Sequence, residues 1–475
     1  MLTYSFENRG NDSLYEYLYK QIKKDIKTNK IKQGEKLPSK RALAKHLDIS
    51  IITVENAYGQ LVAEGYIYSV PRSGFYVSEI PLTNIGVIYN DLYESEKTKL
   101  VSSNCNNSES IPSYFIDFVS NSTVTDSFPF STWSKLMRRT MSKNKDELMT
   151  KSPSIGVYKL RCAIVDYLYE FRGMNVSPEQ IIVGAGTEYL YGLIIQLLGY
   201  NRVYAVEDPG YQKIAHIYEA NNVECAYIPL DDEGICVDSL LKSNSNVLHI
   251  SPSHHFPTGI VTSINRRLEL LSWASKSKDN YIIEDDYDSE FRLKGRPIPT
   301  LQSIDKAEKV IYINTFSKSL TSTIRISYMV LPKALMEKYN NELSFYACTV
   351  SNFEQYTLAK FIEEGYFEKH INRMRTYYKN IRNNILNSIK SLVTKNKVCI
   401  REENAGLHFL LEVDTDLTDE EIVRLARNNG INISCLSQYY HYKSNAIEHT
   451  LVINYSGVSA EKIEEGIEEL IKQVR

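Results

Sequence analysis

Lys318 stands in Thr315-Phe316-Ser317-Lys318-Ser319-Leu320, directly after a β-rich run over residues 310–313. A lysine at a strand's carboxyl end can form a Schiff base with an aldehyde, while flanking hydroxyls hold a nearby phosphate. Such an amine must lose its proton, which burial and a neighbouring cation promote. Arg325, seven residues on, is a candidate for that cation and for the phosphate. The string Glu284-Asp285-Asp286-Tyr287-Asp288 follows another run, residues 281–284. Strand alternation puts Asp285 and Tyr287 on one side. A carboxylate against a pyridine nitrogen keeps the ring protonated and electron-withdrawing. A phenol two residues on reaches the ring's phenolic oxygen. Gly184-Ala185-Gly186-Thr187-Glu188 closes a third run, where backbone N–H groups at a helix start suit an anion. Asp208-Pro209-Gly210-Tyr211 offers Tyr211 as a ring to stack on a flat cofactor. These parts fit pyridoxal 5′-phosphate (PLP).

Each part also has a plainer reading. Lys318 alone is a surface lysine in a Ser/Thr loop, and the glycine turn alone is a tight connection. The acidic string suits Mg²⁺, but no GxxxxGK[ST] loop accompanies it. His254 and His255 suggest a metal, yet adjacent side chains diverge and no third ligand is evident. The expectation is no metal. The order of the parts along one chain favours the cofactor.

The elements that must carry these residues are strands alternating with helical stretches. Runs at 181–183, 203–206, 247–251, 281–284, 310–313 and 328–331 imply βαβ units and a mainly parallel sheet. Residues 407–413 and 451–455 suggest a smaller C-terminal α+β subdomain. Ahead of this body, apolar spacing predicts a helix over 14–26, a short helix capped by Ser39, and a second helix from Ile51. A hairpin through Pro71-Arg72-Ser73-Gly74 follows. That order is a winged helix-turn-helix. The domains expected are 1–78, a small polar linker over 79–113, and 114–475.

Charge supports the division. Residues 1–78 carry twelve Lys and Arg against eight Asp and Glu, net +4, which leaves −7 for the rest of a chain of net −3. A basic module on an acidic body points to a polyanion partner. In a helix-turn-helix the second helix enters the major groove. There Asn56 suits adenine and Ile52 a thymine methyl, with Thr53 and Gln60 also outward. Lys40, Arg41 and the wing residue Arg72 are placed for phosphates, which set register. The 43% apolar and 24% charged composition is globular. Neither a membrane-length apolar run nor a secretory pattern is found, and seven cysteines without a CxxC pair argue against a disulfide framework. The expectation is a cytoplasmic protein with no membrane partner.

Two resemblances sharpen this reading. Residues 12–78, with Gly34-Glu35-Lys36-Leu37-Pro38-Ser39-Lys40-Arg41, Ser50, Thr53, Ala57-Tyr58 and Ser73-Gly74-Phe75, resemble the DNA-binding domain of GntR-family regulators. From about residue 115 the glycine turn, Pro-Gly-Tyr, Ser253-His254-His255-Phe256-Pro257-Thr258-Gly259, Asp-x-Tyr and Ser-Lys resemble a fold-type I PLP-dependent aminotransferase. The whole chain is similar to the MocR subfamily, the GabR- and PdxR-like regulators. The resemblance implies Lys318 as the Schiff-base residue, Asp285 at the pyridine nitrogen and Tyr287 at the ring oxygen. It also implies Tyr211 stacking, Thr187, Glu188, Thr315, Ser317 and Arg325 near the phosphate, and Ser50 and Gly74 in the DNA-binding set. It further implies a head-to-tail homodimer on a double-stranded operator, responding to PLP or an amino compound.

One departure matters. Aminotransferases of this fold usually hold the substrate carboxylate with an arginine of the small domain, and lysine replaces it poorly. Here no arginine lies between Arg427 and Arg475; the strand concerned reads Leu451-Val452-Ile453-Asn454-Tyr455. The expectation is therefore a PLP-dependent transcriptional regulator with an aminotransferase-like sensor. The alternative is a working aminotransferase with an autoregulatory DNA-binding head.

Overall fold

The computed structural model describes residues 2–6, 9–10, 12–79, 114–120, 127–293, 298–392, 398–403 and 406–473. The chain divides into two compact units, residues 1–110 and 111–475. Apart from Glu79, the linker expected over 79–113 lies outside the described residues.

In the first unit, α1 (Leu14–Lys27), α2 (Lys40–Leu47) and α3 (Ile51–Ala63) precede the antiparallel wing β1 (Ile67–Val70) and β2 (Gly74–Val77). Hydroxyl caps start both helices of the motif. Ser39 accepts from the Ala42 N–H at 3.1 Å and Ser50 from the Thr53 N–H at 3.0 Å, each such cap stabilising a helix by about 1 kcal/mol. Leu18, Ile22, Leu43, Val54, Tyr58, Leu61, Ile67 and Val77 are fully or almost fully buried and form one core.

The second unit is built on an eight-stranded sheet. Its strands are β4 (Ile181–Gly184), β5 (Val203–Asp208), β6 (Glu224–Asp231), β7 (Gly234–Ile235), β8 (Val247–Ile250), β9 (Tyr281–Asp285), β10 (Val310–Thr315) and β11 (Ser327–Val330); β3 (Ile116–Asp117) lies outside it. The order is β4-β11-β10-β9-β8-β5-β6-β7, and β11 runs antiparallel to both neighbours. The central strands β8, β10 and β11 are buried along their length, as a sheet covered on both faces requires.

The C-terminal sheet orders β12 (Val398–Arg401), β13 (His408–Val413), β16 (Thr450–Asn454) and β15 (Ser434–Cys435), all antiparallel. β3 pairs with β14 (Ile431–Asn432), which fastens the start of this unit to its small subdomain. The six runs expected for the central sheet are all strands. Sequence reading did not find β6, whose ECAYIPLD pattern is mostly half-exposed and carries Pro229. That is an edge-type composition rather than a buried run. Among the described residues no helix is long and apolar enough to cross a membrane.

Candidate cofactor site and DNA-binding face

Strands β4, β5, β8, β9 and β10 end on the same side of the sheet, at Gly184, Asp208, Ile250, Asp285 and Thr315. Ligands of open α/β sheets bind outside such carboxyl ends. The residues there enclose a cleft of about 330 Å³ lined by Thr187, Glu188, Tyr211, Asp285, Tyr287, Thr315, Ser317, Lys318 and Arg325, within the size range of small-molecule sites. All nine residues expected at the cofactor thus line one cavity.

Asp285 is the last residue of β9 and is buried. The Tyr191 hydroxyl donates to its Oδ2 at 2.5 Å, and His249 Nε2 lies 3.6 Å from the same oxygen. His249 Nδ1 is 2.6 Å from the Tyr218 hydroxyl. Asp285 Oδ1 is buried with no hydrogen-bond partner in the protein. One oxygen accepts from the Tyr191 hydroxyl while the other remains an acceptor, which suits a pyridinium N–H. Glu284 and Asp286 turn to the opposite face, as alternation requires. Asp286 pairs with buried Arg172 at 2.8 Å, and Glu284 accepts from the N–H groups of Leu301 and Gln302 at 2.8 and 3.0 Å. Burial raises Glu284 to about 7.

Lys318 sits in a single helical turn, Phe316–Ser319. Burial pushes its amine down to about 8, against the opposing charge of Asp288. This corrects the role expected of Arg325: enclosure by protein, not a neighbouring cation, weakens the lysine's hold on its proton. Arg325 instead lies 3.4 Å from Glu188, which is also bonded to Lys213. The Lys213 ammonium holds the Glu188 carboxyl below its ordinary range.

The other end of the cleft is an anion cradle. Gly186 precedes the helix Thr187–Leu198 with φ of 92°, and a Cβ there would lie 2.3 Å from Arg325 Nη2. Glycine therefore lets the guanidinium approach the helix start. Thr315 Oγ1 donates to Ser317 Oγ at 3.0 Å and accepts from Ser327 at 2.8 Å. Tyr211, half-exposed, meets the Phe256 ring edge-on at 5.9 Å.

Several groups in the cleft escaped sequence reasoning. Glu207 is enclosed, accepts from the Ser251 N–H at 3.1 Å and lies 3.5 Å from His255 Nε2. Burial raises its carboxyl to about 8, so it is mostly neutral at pH 7. Tyr191, four residues after Thr187 and on the same helical face, was legible from spacing but reads as ordinary core. The small subdomain contributes Leu407, His408 and Asn454 to the lining. Asn454 ends the strand where an arginine was sought. His254 and His255 separate as expected, towards Asp288 and Thr258 respectively.

On the first unit, α3 exposes Ile52, Asn56 and Gln60, with Ile52 at 68%. Arg41 is exposed, and Arg72 is exposed at the wing tip with φ of 60°. Gly74 follows at φ of 127°. Lys40 is bonded to Glu55 at 2.5 Å and lies over the Phe75 ring, so a phosphate must compete for it. Ser50 and Thr53 engage each other, hydroxyl to hydroxyl at 2.8 Å. The first role of Ser50 is to cap α3.

A strand-end lysine, an inward aspartate and an anion cradle on this sheet define an aminotransferase-like domain, here joined to a winged helix-turn-helix. The family model for aminotransferase class I and II matches residues 116–470, and that for bacterial regulatory proteins of the gntR family matches 14–77. The chain is 40% identical over 98% of both lengths to the uncharacterized HTH-type transcriptional regulator YdeL of Bacillus subtilis. It is 30% identical to the probable rhizopine catabolism regulatory protein MocR of Rhizobium meliloti, over 96% of this chain and 93% of that one. Kynurenine aminotransferase of Pyrococcus horikoshii superposes with a TM-score of 0.66 at 22% identity, covering 83% of this chain and 95% of its own. The chain belongs to the gntR-family regulators that carry an aminotransferase class I and II domain, the MocR subfamily.

Proposed function

We propose that the protein is a PLP-dependent transcriptional regulator whose large unit senses the cofactor, or an amino compound presented to it, through Lys318. The observation that carries this is Asp285. Its carboxylate accepts from Tyr191 on Oδ2, has a buried Oδ1 without a hydrogen-bond partner in the protein, and belongs to a residue lining the lysine's cleft. When bound, PLP supplies an aldehyde for the lysine amine and an electron-withdrawing ring. Asp285 would meet the ring nitrogen and Tyr287 the ring oxygen. Tyr211 would cover the ring's face. Thr187, Thr315, Ser317 and Arg325 would hold the phosphate, with Glu188 anchoring Arg325 and Lys213. The amine's proton affinity near pH 8 leaves a usable neutral fraction at physiological pH.

The first unit reads operator DNA with α3 and grips phosphates with Lys40, Arg41 and Arg72. Exposed Phe345, Phe353 and Met149 support a second copy as partner, in a head-to-tail homodimer working in the cytoplasm. Transamination is the second reading, favoured by the intact Lys318–Asp285 pair. Against it stands a small-subdomain lining of Leu407, His408 and Asn454, which offers no guanidinium to a substrate carboxylate.

The test starts with DNA selected from a randomised duplex pool by the apo protein. Adding PLP is expected to change affinity or footprint for the wild type and not for Lys318→Ala. An equal response in that variant overturns the sensor. Conversion of an added amino acid to its oxo acid favours the enzyme.

A further inference from the structure

α3 carries a single charged side chain, Glu55, and that charge is negative. Its sign is wrong for a helix that a unit of net +4 offers to a polyanion. Packing does not require the acid. Val54, Ala57, Tyr58 and Leu61 form the buried side of α3, while Ile51, Ile52, Glu55 and Asn56 are exposed. Glu55 lies in the first half of the helix, one turn after Ile52. Early residues of a reading helix are those that reach base edges.

In the free protein this carboxylate has a partner on α2. The Lys40 ammonium donates to Glu55 Oε1 at 2.5 Å and lies 5.7 Å from the centre of the Phe75 ring in the wing. An exposed pair of this kind stabilises little in water, so a DNA phosphate can draw Lys40 away. Glu55 is then left in the groove without its donor. Guanine presents only acceptors there, thymine an acceptor and a methyl, and adenine a donor beside the N7 acceptor. Cytosine presents its N4 amino group with no acceptor of its own alongside.

We propose that Glu55 is a specificity-determining residue: it accepts from the N4 amino group of an operator cytosine while Lys40 passes to a backbone phosphate. The exchange keeps the carboxylate bonded in the free protein and on the correct base. Any other base leaves it against an acceptor or short of a donor, so wrong sites are penalised as well as unrewarded. The inference rests on the reading of α3 as the helix that enters the major groove.

The test selects binding sites from a randomised duplex pool with the full-length protein, without and with PLP, for wild type, Glu55→Ala, Glu55→Gln and Lys40→Ala. Glu55 is on the surface and both replacements are good helix formers, so the fold is kept. Wild type should prefer cytosine about tenfold at one position of the selected site. Glu55→Ala should lose that preference to within about twofold and leave the other positions unchanged. Glu55→Gln should move it to adenine, which a carboxamide meets at N6 and N7 together. Lys40→Ala should keep the cytosine and make the salt dependence of binding shallower by about one contact.

A selected site with the same preferences in wild type and both Glu55 variants overturns the proposal. Tighter binding of those variants to all sequences alike also overturns it, since Glu55 is then only a repelling charge. Loss of the cytosine preference in Lys40→Ala does the same, because the pair is then needed merely as a brace. If wild type enriches no sequence, the DNA-reading role of α3 fails along with this inference. An enriched site indifferent to Glu55 removes this inference alone.

Discussion

Lys318→Met should stabilise the apo protein at neutral pH, because a lysine enclosed beside the cleft opposes folding while it is charged. Burial lowers its amine from 10.5 to about 8. At about 1.36 kcal/mol for each tenfold change in proton affinity, that enclosure costs the fold about 3 kcal/mol. Water entering the open cleft screens part of this, and about 2 kcal/mol is expected. The sign follows from proton counting. Between pH 8 and 10.5 the unfolded chain holds the lysine's proton and the folded chain does not. Wild-type stability therefore rises with pH across that window relative to the variant. The variant's advantage is full below pH 8 and gone above 10.5. Both tryptophans, Trp133 and Trp273, lie in the second unit, so tryptophan fluorescence during urea unfolding reports on that unit alone. Denaturation midpoints from pH 7 to 11 give the comparison. A methionine variant no more stable than wild type at pH 7, or an advantage that persists at pH 11, would refute the reasoning. The cost is of the kind functional sites commonly carry.

Three further outcomes follow from particular contacts. Glu207→Gln should gain stability over wild type as pH rises from about 5 to 8. The folded-state carboxyl is raised to about 8, so its contribution is present below 4.5 and lost through that window; parallel pH curves for the two proteins in urea unfolding would contradict it. Tyr191→Phe removes a hydrogen bond to a buried carboxylate, worth about 1.5–3 kcal/mol. PLP affinity by spectroscopic titration should fall about tenfold, and a change under twofold excludes the role given to Tyr191. Arg41→Ala should weaken binding to all DNA sequences alike and make the salt dependence shallower by about one contact, whereas a loss confined to the selected site would place Arg41 at a base.

The site was legible where chemistry follows chain order. Asp285 ends β9 and Tyr287, two residues on in the following loop, lines the same cleft, and Lys318 follows a strand that ends there. The helix-turn-helix was legible because apolar residues recur at helical spacing and Ser39 stands at a helix start, its capping partner three residues on; the Ser50 cap on α3 emerged only in the structure. What escaped depends on distant neighbours. Glu207 reads as a surface acid until Ser251 and His255 enclose it. His249 reads as one residue of an apolar strand until Tyr218 and Asp285 flank it. His408 reaches the cleft only through the small subdomain's sheet. The cation expected from Arg325 is not what lowers the lysine, because burial does so, while Arg325 lies 3.4 Å from Glu188, a neighbour 137 residues away that spacing does not reveal.

The most direct measurement is to mix the full-length protein with PLP, treat it with borohydride, and map the modified peptide by mass spectrometry. The account predicts one covalent pyridoxyl adduct, on Lys318, lost in Lys318→Met and weakened in Arg325→Ala. No adduct, or one spread over surface lysines and indifferent to Arg325, would contradict it.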